Sequence, residues 1–239
     1  MRSSGTFDVD AVRARLPGRR IDWFERTSST MIEARTALEP GRIVVADEQT
    51  AGVGRQGRAW YSAASQGLYV SIVLPSRPAP LLMLALGLAV REAIDSVAGL
   101  EADLRWPNDI LIQGRKCSGI LAHVEREAVI AGIGINVAQA GFPEGLETPA
   151  TSLLLEGVLV KREDLFVALI GAVDRNCALS PHRILDRFAG ASTYVAGMRV
   201  RVDGNVEGVT CGLDPAGFLR LREDNGTETT ILAGGVRPV

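Results

Sequence analysis

The segment that decides the fold class of this 239-residue chain covers residues 103–124 and reads DLRWPNDILIQGRKCSGILAHV. It contains three short runs with the apolar or alternating character of β-strands, over 103–106, 109–112 and 118–124. Gln113-Gly114, between the last two runs, is a turn dipeptide typical of a β-hairpin. A further apolar run, 129–135, follows closely. Consecutive strands joined by hairpins predict antiparallel pairing, which argues against a doubly wound parallel sheet.

Outside this segment the chain contains further strands and a few helices. Strands are predicted over 21–24, 42–46 and 68–74. Thr30 followed by Glu33 matches a capping box, so a helix is expected over about 31–38, ahead of Pro40. Two long apolar-faced helices are predicted over 81–97 and 162–178. Residues 1–20 are Arg-rich and without pattern, so we expect a loosely packed terminus. The predicted fold class is α+β, a mixed β-sheet with flanking helices.

A change in composition near residue 190 predicts a domain boundary. Residues 189–192, Ala-Gly-Ala-Ser, suit a linker. Short alternating runs follow, separated by turn dipeptides that include Gly204-Asn205, Asp214-Pro215 and Asn225-Gly226. This spacing is typical of a small β-barrel. We therefore expect a larger domain over residues 1–189 and a small C-terminal β-barrel domain over residues 190–239.

Composition excludes several classes of protein. The chain is 46% hydrophobic and 23% charged, and 26 basic residues against 28 acidic ones give a formal net charge of −2. A disordered chain would be less hydrophobic, and a general nucleic-acid binder would have a basic excess. Three widely spaced cysteines and two distant histidines predict no disulfide framework and no clustered metal site. The absence of a long apolar run or secretory signal favours a cytoplasmic location.

The glycine-rich stretch Gly52-Val53-Gly54-Arg55-Gln56-Gly57 matches G-x-G-x-x-G, a pattern that is weak by itself. A dinucleotide-binding loop needs a helix after it, whereas Trp60 and the residues around it show no helical period, so that interpretation fails. The loop still places Arg55 and Arg58 on a flexible segment, where guanidinium groups suit carboxylate and phosphate oxygens. Trp60 offers a flat face for stacking on a base. The alternative is a mobile surface turn with solvated arginines and a core tryptophan.

Three more short segments carry candidate functional residues. Asn108 and Asp109 follow Pro107 at a corner between strands, and Lys116 follows the hairpin turn. Residues 131–136, Ala-Gly-Ile-Gly-Ile-Asn, form a strand whose glycines can mark the close approach of a ligand. Each has an ordinary alternative: a Pro-Asn-Asp turn, a solvated lysine and a strand bulge ending at Asn136.

Together and in this order, these segments resemble the biotin–protein ligases, also called biotin–[acetyl-CoA-carboxylase] ligases. The matching segments are SST at 28–30, DEQTAGVGRQGRAW at 47–60, GLYVS at 67–71, RWPNDI at 105–110, RKCSGIL at 115–121 and GIGIN at 132–136. The resemblance covers residues 21–136 firmly and the C-terminal barrel more loosely. It implies a class II synthetase-like or biotin ligase-like fold followed by an SH3-like barrel, without a DNA-binding domain.

The resemblance implies a two-step reaction. Biotin, as substrate, and ATP with Mg²⁺ would form biotinyl-5′-AMP, and the acyl group would pass to a lysine of a biotin carboxyl-carrier protein or domain of a carboxylase. It implies no DNA or membrane partner and allows a homodimer. The nearest rival is a lipoate–protein ligase-like acyl-adenylate transferase. A non-catalytic biotin sensor is the rival from another class.

Residue roles follow from the resemblance by position. Lys116 and Arg55 would be catalytic, acting on the biotin carboxylate and the α-phosphate. The biotin-binding residues would be Ser29, Thr30, Gln49, Gly52, Arg55, Tyr69, Lys116 and Gly119. The ATP- and adenylate-binding residues would be Arg58, Trp60, Asn108, Asp109 and Asn136, with Mg²⁺ near Asp109. The chain departs from the family pattern at Val53, Arg105 and Met31, where the family usually has Arg, Lys and Asn.

Overall fold

The hairpin-rich segment and three earlier strands form one seven-stranded sheet in the computed structural model, which describes residues 7–75, 79–203 and 206–239. Its strands are β1 (Ile21–Thr27), β2 (Ile43–Gln49), β3 (Gly67–Pro75), β4 (Asp103–Arg105), β5 (Asp109–Ile112), β6 (Arg115–Glu125) and β7 (Ala128–Asn136). They lie in the order β1-β2-β3-β7-β6-β5-β4. β1 and β2 are parallel and the other neighbours are antiparallel. The predicted mixed sheet is confirmed.

The turn between β5 and β6 sets the register of the hairpin. Gln113 and Gly114 have φ angles of +50° and +74°, the left-handed conformation that a two-residue hairpin turn requires at both positions. The turn pairs Leu111 with Lys116, and a one-residue register shift between Ile110 and Leu111 then places Asp109 opposite Gly119. The turn thereby brings Asp109 to the strand that carries Lys116.

Five α-helices accompany the sheets: α1 (Val9–Arg15), α2 (Thr30–Arg35), α3 (Ala79–Ala98), α4 (Arg162–Cys177) and α5 (Pro181–Gly190). The two long helices were predicted within two residues at each end. α3 packs against both α4 and α5. Gly87 of α3 faces α5, where a Cβ atom would contact the Phe188 ring at 3.4 Å.

The prediction for the N-terminal segment was wrong for its later part. Residues 9–15 form α1, which is capped by the Asp8 carboxylate accepting from the Ala11 backbone N–H at 3.0 Å. Phe7 and Val12 are buried, and the Phe7 ring meets Phe166 of α4 edge-on with centroids 5.6 Å apart. The helix is held by this tertiary contact, which a local pattern does not reveal. Residues 1–6 lie outside the described part of the chain.

Helix α5 was not predicted, although its signals are present in the sequence. Ser180 occupies the N-cap position and Pro181 the first turn, the position where proline suits a helix. Ile184 and Phe188, one turn apart, are buried. The linker predicted over 189–192 overlaps this helix, whose last two residues are Ala189 and Gly190.

Helix α2 begins one residue earlier than the capping-box prediction required. Ser29, and not Thr30, is the N-cap, and its hydroxyl accepts from the Met31 N–H at 3.3 Å. Glu33 accepts instead from the Thr27 hydroxyl at 2.6 Å. The helix ends at Arg35 and not near residue 38. At this end of the helix, Nη1 of the buried Arg42 donates to the carbonyl oxygens of Glu33, Ala34 and Ala37, each at 3.1 Å.

Alternation along β7 separates the core from the opposite face of the sheet. Ala131, Ile133 and Ile135 belong to the main hydrophobic core, whereas Gly132 and Gly134 face side chains on the other side. Successive strand residues point to opposite faces. One face of β7 therefore packs into the hydrophobic core, and Gly132 and Gly134 leave the backbone uncovered by β7 side chains on the other face.

The second sheet is antiparallel and five-stranded, in the order β11-β10-β9-β8-β12. Its strands are β8 (Ala196–Val202), β9 (Val206–Leu213), β10 (Leu219–Arg222), β11 (Glu228–Ile231) and β12 (Val236–Pro238). The predicted turn at Gly204-Asn205 falls outside the described residues. The sheet meets the larger one where Trp106 Nε1 donates to the Gly217 carbonyl oxygen at 3.1 Å. No helix in the described ranges has the length and apolar character needed to cross a membrane.

Candidate active site

The floor of the site is a patch of strand glycines on the open face of the larger sheet. A Cβ atom on Gly134 would lie 2.4 Å from Trp60 Nε1, and one on Gly132 would lie 2.8 Å from Met31 Sδ. A Cβ on Gly119 would lie 3.1 Å from both Trp60 and Lys116. A Cβ atom on Gly134 would therefore displace the Trp60 ring, and one on Gly132 or Gly119 would crowd the side chain that lies over it. The glycines therefore let these side chains lie directly on the backbone of β6 and β7.

A polar group closes one end of this floor. Thr30 donates to Gln49 Oε1 through its backbone N–H at 2.9 Å and its hydroxyl at 3.1 Å. Gln49 Nε2 donates in turn to Ser62 Oγ at 2.9 Å, and the hydroxyls of Thr30 and Ser71 are 2.8 Å apart. Ser29, Thr30 and Gln49 line a narrow cavity of about 50 Å³ and present donors and acceptors to it. The network fixes the orientation of the Gln49 amide.

The glycine-rich loop after β2 is closed by its own backbone hydrogen bonds. Gly54 N donates to Arg58 O at 2.7 Å and Trp60 N donates to Gly52 O at 2.8 Å. Arg55–Gly57 forms a 3₁₀ turn between them. Gly52 is required sterically, because a Cβ atom there would lie 2.7 Å from Ser62 Oγ. The loop is thus a small hairpin that carries Arg55 at its tip.

Arg55 connects the loop to two other parts of the molecule. Its Nη1 donates to Asn108 Oδ1 at 3.0 Å and to the Gly234 carbonyl oxygen at 3.1 Å. Asn108 Nδ2 donates to the Ile120 carbonyl oxygen at 3.1 Å, which fixes the amide that receives Arg55. Burial lowers the pKa of Arg55, and the attraction of Asp109 and Asp203 opposes this shift.

Asp109 holds two cations at the wall of the site. Lys116 Nζ lies 2.5 Å from its Oδ1 atom and Arg105 Nη2 lies 2.6 Å from its Oδ2 atom. Burial alone would raise the pKa of Asp109, but the attraction of Lys116 and Arg105 outweighs burial and holds this pKa below its usual value. Lys116 Nζ also lies 5.5 Å from the centre of the Trp60 ring. The lysine is therefore held between a carboxylate and an aromatic face.

A larger cavity of about 850 Å³ adjoins the narrow one. The two share lining residues, which include Gln49, Trp60, Asn108 and Lys116. Among the described residues that line the larger cavity, five are basic and three are acidic: Arg55, Arg58, Arg105, Lys116 and Arg237 against Asp109, Glu147 and Asp203. This excess of positive charge contrasts with the net charge of −2 for the whole chain. The site is thus a polar pocket that opens into a cationic chamber.

The structure brings most of the residues expected at the site to these two cavities. Ser29, Thr30, Gln49, Lys116 and Gly119 line the narrow cavity. Gly52, Arg55, Arg58, Asn108, Asp109 and Asn136 line the larger one, and Trp60 lines both. Their individual roles stay predictions.

Tyr69 and Asn136 are held more tightly by the protein than the sequence indicated. Tyr69 is buried and its hydroxyl donates to the Ala63 carbonyl oxygen at 3.0 Å. The Asn136 amide donates to the carbonyl oxygens of Thr151 at 2.9 Å and Lys116 at 3.3 Å. Asn136 is nonetheless part of the lining of the larger cavity.

Sequence reasoning missed two contributors to the larger cavity. One is the segment between β7 and α4, which includes Leu146, Glu147 and Thr148. The other is the second sheet, which supplies Asp203 and Arg237. No local pattern could have found them, since both reach the site only through contacts between segments that are distant along the chain. The Gly234-Gly235 pair before β12 was the one available signal of a close approach.

Among the described residues, no group of three or more His, Cys, Asp or Glu side chains is arranged to hold a metal ion. Asp109 Oδ1 is buried and has an ion pair but no well-directed hydrogen bond. A single carboxylate of this kind suits Mg²⁺ that arrives with phosphate groups, because Mg²⁺ is commonly held by one or two carboxylates together with substrate phosphates. The residues present therefore fit a nucleotide-borne ion better than a resident one.

The fold and the site together define a class of α+β protein in which a narrow cavity lined by strand glycines opens into a larger cavity with an excess of basic residues. Such a site is suited to joining two anions. Residues 23–139 match the Biotin/lipoate A/B protein ligase family. The chain is 36% identical over 227 residues to the Bifunctional ligase/repressor BirA of Bacillus spizizenii, covering 86% of this chain and 69% of that protein. The chain belongs to this family.

Two further comparisons narrow the resemblance within the family. The Biotin–[acetyl-CoA-carboxylase] ligase of Mycobacterium tuberculosis is 35% identical, with 91% of this chain and 88% of that protein covered. The biotin protein ligase of Aquifex aeolicus, solved in complex with biotin and ATP, superimposes with a TM-score of 0.83 at 30% identity, covering 92% of this chain and 99% of that one. The resemblance predicted from the motifs is confirmed.

Proposed function

We propose that this chain is an ATP-dependent biotin–protein ligase that activates biotin as biotinyl-5′-AMP and transfers the acyl group to a lysine of a biotin carboxyl-carrier protein. The observation that carries the proposal is the junction of the two cavities at Trp60 and Lys116. At this junction a narrow polar cavity, suited to an organic acid, adjoins a larger cationic cavity, suited to a polyanion. The family match and the similarity to a ligase solved with biotin and ATP support the same assignment.

The chemical problem of the first step is to bring two anions into contact. The biotin carboxylate must attack the α-phosphate, and both groups repel each other in water. Positioned cations and the exclusion of solvent lower this barrier, because fixed charges in a site that excludes water need no reorganisation as the transition state forms. The excess of basic side chains around the larger cavity supplies such a field.

Lys116 and Arg55 are the groups that we assign to the reacting atoms. Lys116 lies where the two cavities join, and Arg55 approaches the larger cavity from the loop. Both are held by Asp109 or Asn108 at short range, so their charges are placed before the substrates arrive. No nucleophilic side chain is needed, since the carboxylate itself attacks and pyrophosphate leaves with the electron pair of the broken P–O bond.

The polar end of the narrow cavity is assigned to the biotin ring. Ser29, Thr30 and Gln49 offer hydroxyl and amide groups that suit the ureido carbonyl and N–H groups. Gly52 and Gly119 allow close approach to the backbone, because a Cβ atom would clash at Gly52 and would crowd Lys116 and Trp60 at Gly119. Tyr69 is assigned to the biotin-binding residues as a support of the pocket, since its hydroxyl already donates to the Ala63 carbonyl oxygen.

The larger cavity is assigned to the nucleotide. Arg58 is placed toward the triphosphate, and Trp60 and Asn136 toward the adenine. Asn108 and Asp109 lie on the wall nearest Lys116 and would hold Mg²⁺ that arrives with ATP. That Mg²⁺ ion would neutralise part of the negative charge of the phosphates.

We further propose a division of the chain into a catalytic domain over residues 1–189 and an SH3-like barrel over residues 190–239, with the five-stranded antiparallel sheet as support. The carrier partner would be a biotin carboxyl-carrier domain, and the location cytoplasmic. The homodimer stays a prediction that light scattering on the purified chain would test.

The decisive experiment supplies the chain with ATP, Mg²⁺, isotopically labelled biotin and a biotin carboxyl-carrier domain. We expect pyrophosphate release and a mass increase on one carrier lysine, and release of biotinyl-5′-AMP when the carrier is omitted. A parallel reaction with lipoate tests the rival transferase. Equal or faster turnover of lipoate would overturn the biotin assignment, and tight biotin binding without any AMP ester would indicate a sensor.

A further inference from the structure

Glu147 joins three distant segments of the chain at the mouth of the larger cavity. It lies between β7 and α4, and its Oε2 accepts from Arg237 Nη2 of β12 at 2.7 Å. The same oxygen is paired with Arg58 of the glycine-rich loop. One carboxylate oxygen thus receives two guanidinium groups, and all three residues belong to the cavity lining.

Arg237 is fixed on one side and faces the cavity on the other. Its Nη1 donates to Asp203 Oδ1 at 3.0 Å. Asp203 is itself held by the Gly235 backbone N–H, which donates to Oδ2 at 2.6 Å. The second edge of the guanidinium is the one that Glu147 occupies. Arg237 is therefore positioned before any ligand arrives, with Nη1 committed to Asp203 and Nη2 available for exchange.

An anion with more negative charge can displace Glu147 from Arg58 and Arg237, because these ion pairs are exposed. The side chains of Arg58, Arg237 and Glu147 are 52%, 36% and 53% exposed, and pairs at such exposure contribute about 0–1 kcal/mol. Guanidinium groups bind carboxylate and phosphate oxygens in the same forked geometry. A polyphosphate has more negative charge than one carboxylate, so it would win this competition. Asp109, only 15% exposed and paired with two cations, offers no comparable exchange.

We propose that Glu147 is an internal anion occupying the polyphosphate subsite, and that Arg237 of the second sheet, together with Arg58, receives the terminal phosphates of the nucleotide when Glu147 leaves. The inference rests on the proposed function and adds two residues to it. It also gives the second sheet a direct part in nucleotide binding. Because displacement of Glu147 requires several negative charges, a triphosphate gains more from the site than a monophosphate.

The test measures binding of inorganic triphosphate to the full chain by titration calorimetry at fixed ionic strength, without biotin. Glu147→Gln should bind it about fivefold more tightly, the equivalent of roughly 1 kcal/mol for one screened charge at close range. Glu144→Gln is the matched control. Glu144 is exposed on the same segment, and within the described ranges it has no ion pair. We expect the affinity of Glu144→Gln for triphosphate to differ from that of the unaltered chain by less than about twofold.

Arg237→Gln should weaken triphosphate binding about tenfold, whereas Arg237→Lys, which keeps the charge but not the fork, should recover part of the loss. Arg222→Gln removes the same charge from β10, where Arg222 pairs with Glu228 away from the cavity lining, and should have little effect. Circular dichroism and thermal unfolding would establish that each variant folds.

Unchanged or weaker binding by Glu147→Gln would overturn the inference, because the carboxylate would then not compete with phosphate. Unchanged binding by Arg237→Gln would overturn it as well. Failure of the proposed function is recognised separately, from the absence of biotin-dependent pyrophosphate release by the unaltered chain. The calorimetric result with triphosphate does not depend on that reaction.

Discussion

Lys116 Nζ lies 2.5 Å from Asp109 Oδ1, and the same carboxylate binds Arg105 through its second oxygen at 2.6 Å. The side chains are 25%, 15% and 8% exposed for Lys116, Asp109 and Arg105. This triad places a fixed positive charge where the two cavities join. It also fixes the position of the lysine through a buried carboxylate on the neighbouring strand.

Replacing Lys116 by alanine should remove most of the first reaction step while the fold remains. The loss should be on the order of 100-fold or more in biotin-dependent pyrophosphate release, comparable to removing one donor that stabilises developing charge. Lys161→Ala removes an exposed lysine at the start of α4 and serves as the control. Near-normal pyrophosphate release by Lys116→Ala would contradict the role assigned to this residue.

Replacing Asp109 by asparagine should destabilise the protein strongly. The change leaves buried Arg105 and partly buried Lys116 without their counter-charge, which costs about 3–5 kcal/mol in the free energy of unfolding. Asp164→Asn breaks an exposed pair with Arg15 at the same 2.6 Å distance and should cost about 1 kcal/mol or less. Urea unfolding of the two variants compares these costs. Equal destabilisation would show that the burial of Asp109 contributes nothing.

The contribution of Asp109 to stability should depend on pH. Its pKa in the folded protein is held below the unfolded value by Lys116 and Arg105 despite burial. The stabilisation is therefore fully present above the unfolded pKa of about 3.9 and is lost as the pH falls through the folded pKa. The difference in unfolding free energy between the unaltered chain and Asp109→Asn should be constant from about pH 5 to 7 and shrink below about pH 4. A difference that persists unchanged in acid would refute this linkage.

Gly134→Ala should disturb Trp60 directly. The added Cβ atom would lie 2.4 Å from the indole Nε1, so the ring must leave the floor of the pocket. We expect a loss of about 1–3 kcal/mol in stability from overpacking, together with weaker biotin binding and a shift in tryptophan fluorescence. Gly141→Ala is the control, because a Cβ atom there meets nothing within 4 Å. Unaltered stability and tryptophan fluorescence in Gly134→Ala would contradict the contact between the Trp60 ring and this glycine.

Cys117, next to Lys116, should be inert in the folded protein. Burial, with a smaller contribution from Glu156, raises the pKa of its thiol to about 12. At pH 8 a thiol-specific reagent should label Cys177 and Cys211, which are only partly buried, well before Cys117. Peptide mass mapping before and after denaturation would identify the labelled thiols. Labelling of Cys117 in the native protein at a comparable rate would contradict the burial of this strand position.

Much of the larger sheet could be predicted because its signals are local. The turn at Gln113-Gly114 needed only two residues with positive φ, and the two long helices showed their apolar faces in the sequence. The alternation of glycines with Ala131, Ile133 and Ile135 in β7 marked a strand with one bare face. Helix α1 was not predicted because it packs against α4, with the neighbouring Phe7 on Phe166, more than 100 positions away in the chain.

The mixed α+β architecture and most of the residues that line the two cavities could be predicted, because strand period, turn geometry and motif order are properties of neighbouring residues. The packed structure was needed to show where the side chains are directed: Trp60 onto the glycine floor, Lys116 against Asp109, and Arg237 to Glu147 across 90 positions. An ion pair or an aromatic contact depends on distance in space. Chain segments reach that distance only after the sheets have packed.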